Sequence, residues 1–384
     1  MAPELLPVPP SKGGAIERWI RDAAVRLVQR GHTVDVVSRD RGDGLAQQTC
    51  DGVRYHYVRI PPRIDQGLPA GLARGLWYYR EARRTIEAIA PEVVHHHSRP
   101  AGLWMTARRG SSTRHVISLH SMDYGWGFGH RAWDRGLFRL GLATAARVLC
   151  VSNFIYRHTV ERYPRVRSAA TTVYNGVDGD LFRPADRTDS EAPTILYVGR
   201  VEQRKGVHVL LDAFEQVISK RLPAVRLKIL GPHSYWDARP SGYYTALAAR
   251  CRSNPRIELH GPTFVDQELA AAYRSATISV VPSVFPEALG LTSLEAQASG
   301  VPVVVSDAGG LPETVLPGES GLVFENRRSD QLGQHIIDLL ANEPRRRAMA
   351  TSARAWAMRT FSWDVIATEL EQVYAEATAP GAAR

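Results

Sequence analysis

Between Ala276 and Glu295 the chain reads ATISVVPSVFPEALGLTSLE: an apolar β-branched run, a loop of small residues, then the start of a helix. Residues 276–281 have the composition of a buried parallel strand, and residues 291–299 have helical periodicity. A strand that runs through a short glycine-bearing loop into a helix is the repeating unit of an α/β fold. The loop lies at the carboxyl end of the strand and leaves free backbone N–H groups at a helix N-terminus. There the aligned peptide dipoles favour an anion such as phosphate. Glu287 sits in the loop and Glu295 one turn into the helix, with seven residues between them. Both are placed to accept hydrogen bonds from sugar or ribose hydroxyls. In isolation, a loop acid and a second acid complementing the helix dipole account for the pair equally well.

A second apolar strand, residues 195–198, runs into a loop carrying Gly199, Arg200, Arg204, Lys205 and Gly206. Glycine lets a backbone approach a ligand closely, and two fixed cations at a helix start suit a diphosphate. Lys205 is one of four lysines in a chain with 44 arginines, so it stands out from the background. Downstream, Ser299-Gly300-Val301-Pro302 precedes a strand at residues 303–306, and Asp307-Ala308-Gly309-Gly310-Leu311-Pro312-Glu313 follows it. Both are turn signals at element boundaries.

Five motifs occur in order: Gly13-Gly14, Asn175-Gly176-Val177-Asp178, GRVEQRKG from Gly199, PEALGLTSLE from Pro286 and SGLVFE from Ser320. Together they resemble the family 4 glycosyltransferases of the GT-B fold, over nearly the whole chain. The resemblance implies two Rossmann-like, doubly wound parallel-sheet domains facing a cleft. Residues 1–184 would bind the acceptor and residues 185–362 the nucleotide sugar, with a helix at 363–384 crossing back onto the first domain. The donor site would then comprise Gly13, Gly14, Gly199, Arg200, Lys205, Glu287, Ala288, Leu289, Gly290, Leu291, Thr292 and Glu295. Glu295 is implied to hold the ribose and Glu287 the donor-sugar hydroxyls. His120, at the end of the strand VISLH, is implied to hydrogen-bond near the reacting sugar. Arg200 and Lys205, aided by the N–H groups of Leu291, Thr292 and Gly14, would stabilise the leaving diphosphate in place of a metal. Configuration at the anomeric carbon is implied to be retained, and UDP is the implied nucleotide. The opening residues and HHHSRP are similar to the spore-coat and cell-surface polysaccharide branch of the family, and glycosylation of a specialised metabolite fits equally.

Composition sets limits on the same picture. At 384 residues the chain suits two α/β domains rather than one core. Cys50, Cys150 and Cys251 lack Cys-x-x-Cys spacing, so neither a disulfide framework nor a zinc cluster is indicated, and a reducing cytosol fits. No apolar run approaches a membrane span of roughly 18 residues. The formal charge of +9 is uneven. Residues 1–184 hold 27 Lys+Arg against 16 Asp+Glu, or +11, and the remainder 21 against 23, or −2. A basic first half suits an acidic acceptor or peripheral contact with a membrane, and an arginine-rich genome would produce it as well. Nothing points to nucleic acid.

In the first half, helices are predicted at residues 15–30, 72–90 and 131–146. Strands are predicted at 32–38, 53–60, 92–97, 115–120, 147–152 and 170–174. In the family a buried strand precedes the PPSKGG loop, whereas MAPELLPVPP is too proline-rich for a central strand. A shortened start is the preferred explanation. It would leave unpaired backbone groups and a void costing more than about 3 kcal/mol. Successive histidines His95, His96 and His97 alternate between faces of a strand and cannot chelate one ion together. His97, Arg99 and Trp126, the last in an aromatic glycine-rich loop, are the candidate acceptor contacts. Arg131, Arg135 and Arg139 recur at helical spacing beyond that loop, a pattern that suits an anionic surface or ordinary packing on a sheet. Asp178-Gly179-Asp180 matches an Asp-x-Asp metal motif in form and reads as turn chemistry. An NAD-dependent oxidoreductase is disfavoured for want of Gly-x-Gly-x-x-Gly after a strand. A phosphorylase of the same fold and a non-catalytic glycan-binding protein are the remaining alternatives.

Overall fold

The computed structural model describes residues 1–10, 14–65, 70–108, 110–122, 132–185, 192–234, 239–263 and 265–380. The chain divides into two compact units, residues 1–175 with 363–384, and residues 176–362.

The second unit carries a six-stranded, wholly parallel sheet. Its strands, numbered after the seven of the first unit, are β8 Thr194–Val198, β9 Arg226–Leu230, β10 Ile257–His260, β11 Ile278–Val281, β12 Val303–Ser306 and β13 Gly321–Phe324. Their spatial order is β10-β9-β8-β11-β12-β13. β11 and β12 are buried at every position. That burial is why ISVV and VVVS are continuous apolar runs rather than alternating ones. The order reverses between β8 and β11, which pair through Ile278 with Ile195 and Ser279 with Leu196. In open α/β sheets ligands bind beyond the carboxyl ends of the strands at such a reversal. The loops after β8 and β11 are the two that the sequence singles out.

In the first unit the described strands fall into two sheets. β1 Asp35–Arg39, β2 Gln47–Cys50 and β3 Val53–Val58 form one sheet in the order β1-β3-β2. β4 Val93–His97, β5 Arg114–Leu119, β6 Arg147–Cys150 and β7 Ala170–Thr172 form another, parallel throughout. β2 runs antiparallel to β3 across Asp51-Gly52, both with positive φ. An Asp-Gly pair between two strands is the usual signal of a two-residue hairpin, and the sequence prediction passed over it. The helices Pro100–Thr106 and Asn153–Arg162 were likewise not predicted.

Residues 1–9 form no strand, yet they connect the two sheets. The Met1 amine donates to the His95 carbonyl at 2.9 Å, and the Ala2 N–H to the Val37 carbonyl at 2.9 Å. Val8 N–H reaches Ser38 Oγ at 2.8 Å. Met1, Ala2 and Val8 are buried, so apolar side chains occupy space that the sequence suggested would be void. Prolines at positions 7, 9 and 10 lack the N–H groups a ladder requires.

The helix Trp363–Thr378 belongs to this first unit. Trp363, Ile366, Leu370, Val373 and Ala377 are buried with Trp19, Ile20, Ala23 and Tyr55. Arg30 pairs with Glu371 at 2.6 Å. Residues 176–184, predicted for the first domain, pack with the second. Arg354 donates to the carbonyls of Gly179 at 3.0 Å and Phe182 at 2.8 Å.

Candidate active site

The loop after β8 turns back at Gly206, whose φ is 70°. A Cβ there would collide with the Pro282 carbonyl oxygen, so the glycine permits the loops after β8 and β11 to lie in contact. The Arg204 carbonyl then accepts from the N–H groups of Val284 at 3.0 Å and Phe285 at 3.3 Å. Gly309 does the same on the other side. Its absent side chain leaves room for the Glu287 backbone, which accepts from Gly310 N–H at 2.8 Å. Three loops, after β8, β11 and β12, thus form one joined backbone platform.

The charged side chains on this platform are organised in pairs. Glu202 accepts from Arg200 Nη1 at 2.6 Å with one oxygen and from Arg204 Nε at 2.8 Å with the other. Lys205 Nζ donates to Glu287 Oε1 at 2.6 Å, and Ser283 Oγ donates to the same oxygen at 2.5 Å. Burial pushes the Glu287 carboxyl upward, but Lys205, Ser283 and Arg200 together outweigh it and hold the group below the ordinary carboxylate range. Glu287 is therefore an ionised acceptor at neutral pH. Sequence reasoning named Arg200, Lys205 and Glu287 but missed Glu202 and Ser283, since a carboxylate or hydroxyl near cations carries no spacing signal of its own.

The helix Leu291–Ala298 starts beside them. Gly290 precedes it with φ of 112°, and no side chain caps its first turn. The N–H groups of Leu291 and Thr292 lie at its positive end. Leu289 is 1% exposed, so its backbone rather than its side chain is what it can offer a ligand. Glu295 is also buried, and the Tyr273 hydroxyl donates to its Oε2 at 2.9 Å. Behind the helix, fully buried Gln297 donates to the Thr314 carbonyl at 2.7 Å and accepts from Ser320 Oγ at 3.0 Å. Ser293 Oγ lies 2.7 Å from Thr314 Oγ1. This network gives the serine of SGLVFE a physical purpose: it fixes the rotation of the glutamate-bearing helix.

In the first unit, Gly14 begins the helix Ala15–Gln29 with φ of 116°, packed against the buried carboxyl of Glu17. Gly13 and Trp126 lie outside the described residues, as does Arg131. His97 Nδ1 and His120 Nε2 are 3.0 Å apart, so one donates and the other accepts. Burial depresses both rings, His120 to about 3, so each is neutral at pH 7. Trp19 packs against His95, His97 and His120 together. Arg99 is largely buried, with Nε 3.4 Å from Glu4 Oε1, an ion pair to the segment at residues 1–9. Asp178 Oδ1 accepts from the N–H groups of Asp180 at 2.9 Å and Leu181 at 3.0 Å, which is a local turn. Among the described residues, no group of three or more His, Cys, Asp or Glu is arranged to hold a metal ion. Nor is any described helix long and apolar enough to cross a membrane.

Comparison with known proteins gives a consistent outcome. Residues 13–181 match the profile described as Glycosyltransferase Family 4, and residues 179–356 that of Glycosyl transferases group 1. The chain is 34% identical over 390 residues to a D-inositol 3-phosphate glycosyltransferase of Segniliparus rotundus, covering 96% of this chain and 86% of that protein. It is 26% identical to spore coat protein SA of Bacillus subtilis, covering 97% and 98% respectively. It is 28% identical to a GDP-mannose-dependent alpha-(1-6)-phosphatidylinositol monomannoside mannosyltransferase of Mycobacterium tuberculosis, covering 94% of each. Among solved structures, Anabaena HepE in complex with UDP-glucose matches with a TM-score of 0.75 at 18% identity over 97% of both chains. Two Rossmann-like units bearing these loops, matched by the family profiles over residues 13–356 and by a 34% identical relative over 96% of the chain, make this chain a member of glycosyltransferase family 4 with the GT-B fold.

Proposed function

We propose that the chain transfers a hexosyl group from a nucleoside diphosphate sugar to an acceptor hydroxyl with retention of configuration, and that it needs no metal. The observation that carries this reading is the 2.6 Å pair of Lys205 and Glu287 at the reversal point of the second unit's sheet. In a nucleotide sugar the diphosphate and the hexose hydroxyls are neighbours, so a phosphate-binding cation and a hydroxyl-binding carboxylate must be neighbours too. Arg200, held by Glu202, supplies a second cation, and the Leu291 and Thr292 N–H groups a dipole. As the bond from anomeric carbon to phosphate oxygen breaks, negative charge grows on the diphosphate, and these groups are already in place to meet it. Glu295 takes the ribose. His97, His120, Arg99 and Trp126 are proposed for the sugar and acceptor side, the acceptor being a glycan or specialised-metabolite hydroxyl.

UDP is the proposed nucleotide, in keeping with the UDP-glucose complex of Anabaena HepE; the mycobacterial relative's name specifies GDP-mannose. Calorimetric titration of UDP, GDP and ADP with EDTA present tests donor class, nucleotide and metal independence together. UDP binding that Lys205→Ala weakens at least roughly tenfold is the expected result. Binding that appears only when a divalent cation is added, or that ignores Lys205→Ala, would overturn the proposed site.

A further inference from the structure

We infer that Tyr273 is a positioning residue for nucleotide recognition, acting through Glu295. This rests on the reading of Glu295 as the ribose contact given above. Tyr273 belongs to the helix Asp266–Ser275 and is completely buried, with its ring packed edge-on against Phe182 at 5.8 Å. Its hydroxyl donates to Glu295 Oε2 at 2.9 Å and lies 3.3 Å from the Thr292 carbonyl oxygen. One phenol therefore contacts both the first turn of the helix Leu291–Ala298 and the carboxylate on its next turn.

A glutamate has three side-chain torsions, and a helical position alone does not select among them. A buried ring that donates to Oε2 at 2.9 Å favours the one torsion set that reaches its hydroxyl. Two vicinal ribose hydroxyls need acceptors at a defined spacing, so recognition is sensitive to small carboxylate displacements. Tyr273 touches no part of the nucleotide in this scheme. Its contribution is confined to the orientation of Glu295, so deleting its hydroxyl should cost affinity only for ligands that carry ribose hydroxyls.

The test compares UDP and GDP with their 2′,3′-dideoxy forms on the full chain, using whichever base binds, for wild type, Tyr273→Phe, Glu295→Ala and the double variant. Expected is a wild-type preference for the ribose form that falls roughly tenfold in Tyr273→Phe, with dideoxy binding unchanged. Glu295→Ala should abolish the preference, and adding Tyr273→Phe to it should change nothing further. If Tyr273→Phe weakens both forms equally, or keeps the wild-type preference, Tyr273 merely packs and the inference fails while the Glu295 reading stands. If Glu295→Ala keeps the preference, that reading fails and takes the inference with it.

Discussion

Glu17 shows how much a single buried carboxyl can contribute in the first unit. Burial raises its pKa from 4.5 to about 7, against a smaller opposing pull from a backbone hydrogen bond. An acid whose folded pKa lies above its unfolded one binds more protons when folded. The protein is thus most stable with respect to this group below about pH 4.5 and loses that contribution as pH rises through about 7. Glu17→Gln is expected to raise the thermal midpoint at pH 8, by up to about 3 kcal/mol in stability, and to leave it nearly unchanged at pH 4.5. An equal shift at both pH values would show that the effect is packing. The buried histidines run the other way, since their depressed pKa values withdraw stability as pH falls below the ordinary imidazole range.

At the scale of elements, the loops after β8, β11 and β12 were legible because their glycine, lysine and glutamate signals recur in one order along the chain. Gly206→Ala is the direct check on why one glycine is there. It must relieve a collision with the Pro282 carbonyl and hold φ near 70°, so a loss of at least about 2 kcal/mol is expected in thermal or chemical unfolding. A neutral result would mean that the two loops can part without cost. What the sequence did not disclose has physical reasons as well. Glu202 and Ser283 act on close neighbours within irregular loops, where no fixed period ties spacing to contact, and Tyr273 reaches Glu295 from a separate helix, for which local patterning carries no signal. β2 pairs through polar, half-exposed residues, so Gln47–Cys50 has no hydrophobic period to detect, although its Asp-Gly turn was available. The short helix Pro100–Thr106 has its proline at the first position, which reads as a breaker unless N1 is recognised.

For the whole molecule, the two units differ in kind. Residues 176–362 are one continuous stretch of sequence whose described residues form a six-stranded sheet. Produced alone, they are expected to unfold cooperatively in a thermal or urea melt. Residues 1–175 lack the helix Trp363–Thr378, and with it the burial of Trp363, Ile366, Leu370, Val373 and Ala377. At about 1.5 to 3 kcal/mol for each large apolar side chain, that loss is comparable to the whole stability of a domain, about 5–15 kcal/mol. The 1–175 fragment is expected to aggregate or to show no cooperative transition. A sharp, reversible melt from it would show that the helix is dispensable.

The same discontinuity gives the protein a schedule. During synthesis the second unit can finish first, while the earlier residues wait with an apolar seam open for a helix not yet made. At usual elongation rates of about 5–20 residues per second, roughly 200 residues correspond to a delay on the order of 10–40 s. For that interval the first 175 residues are expected to expose the apolar seam that the helix Trp363–Thr378 closes.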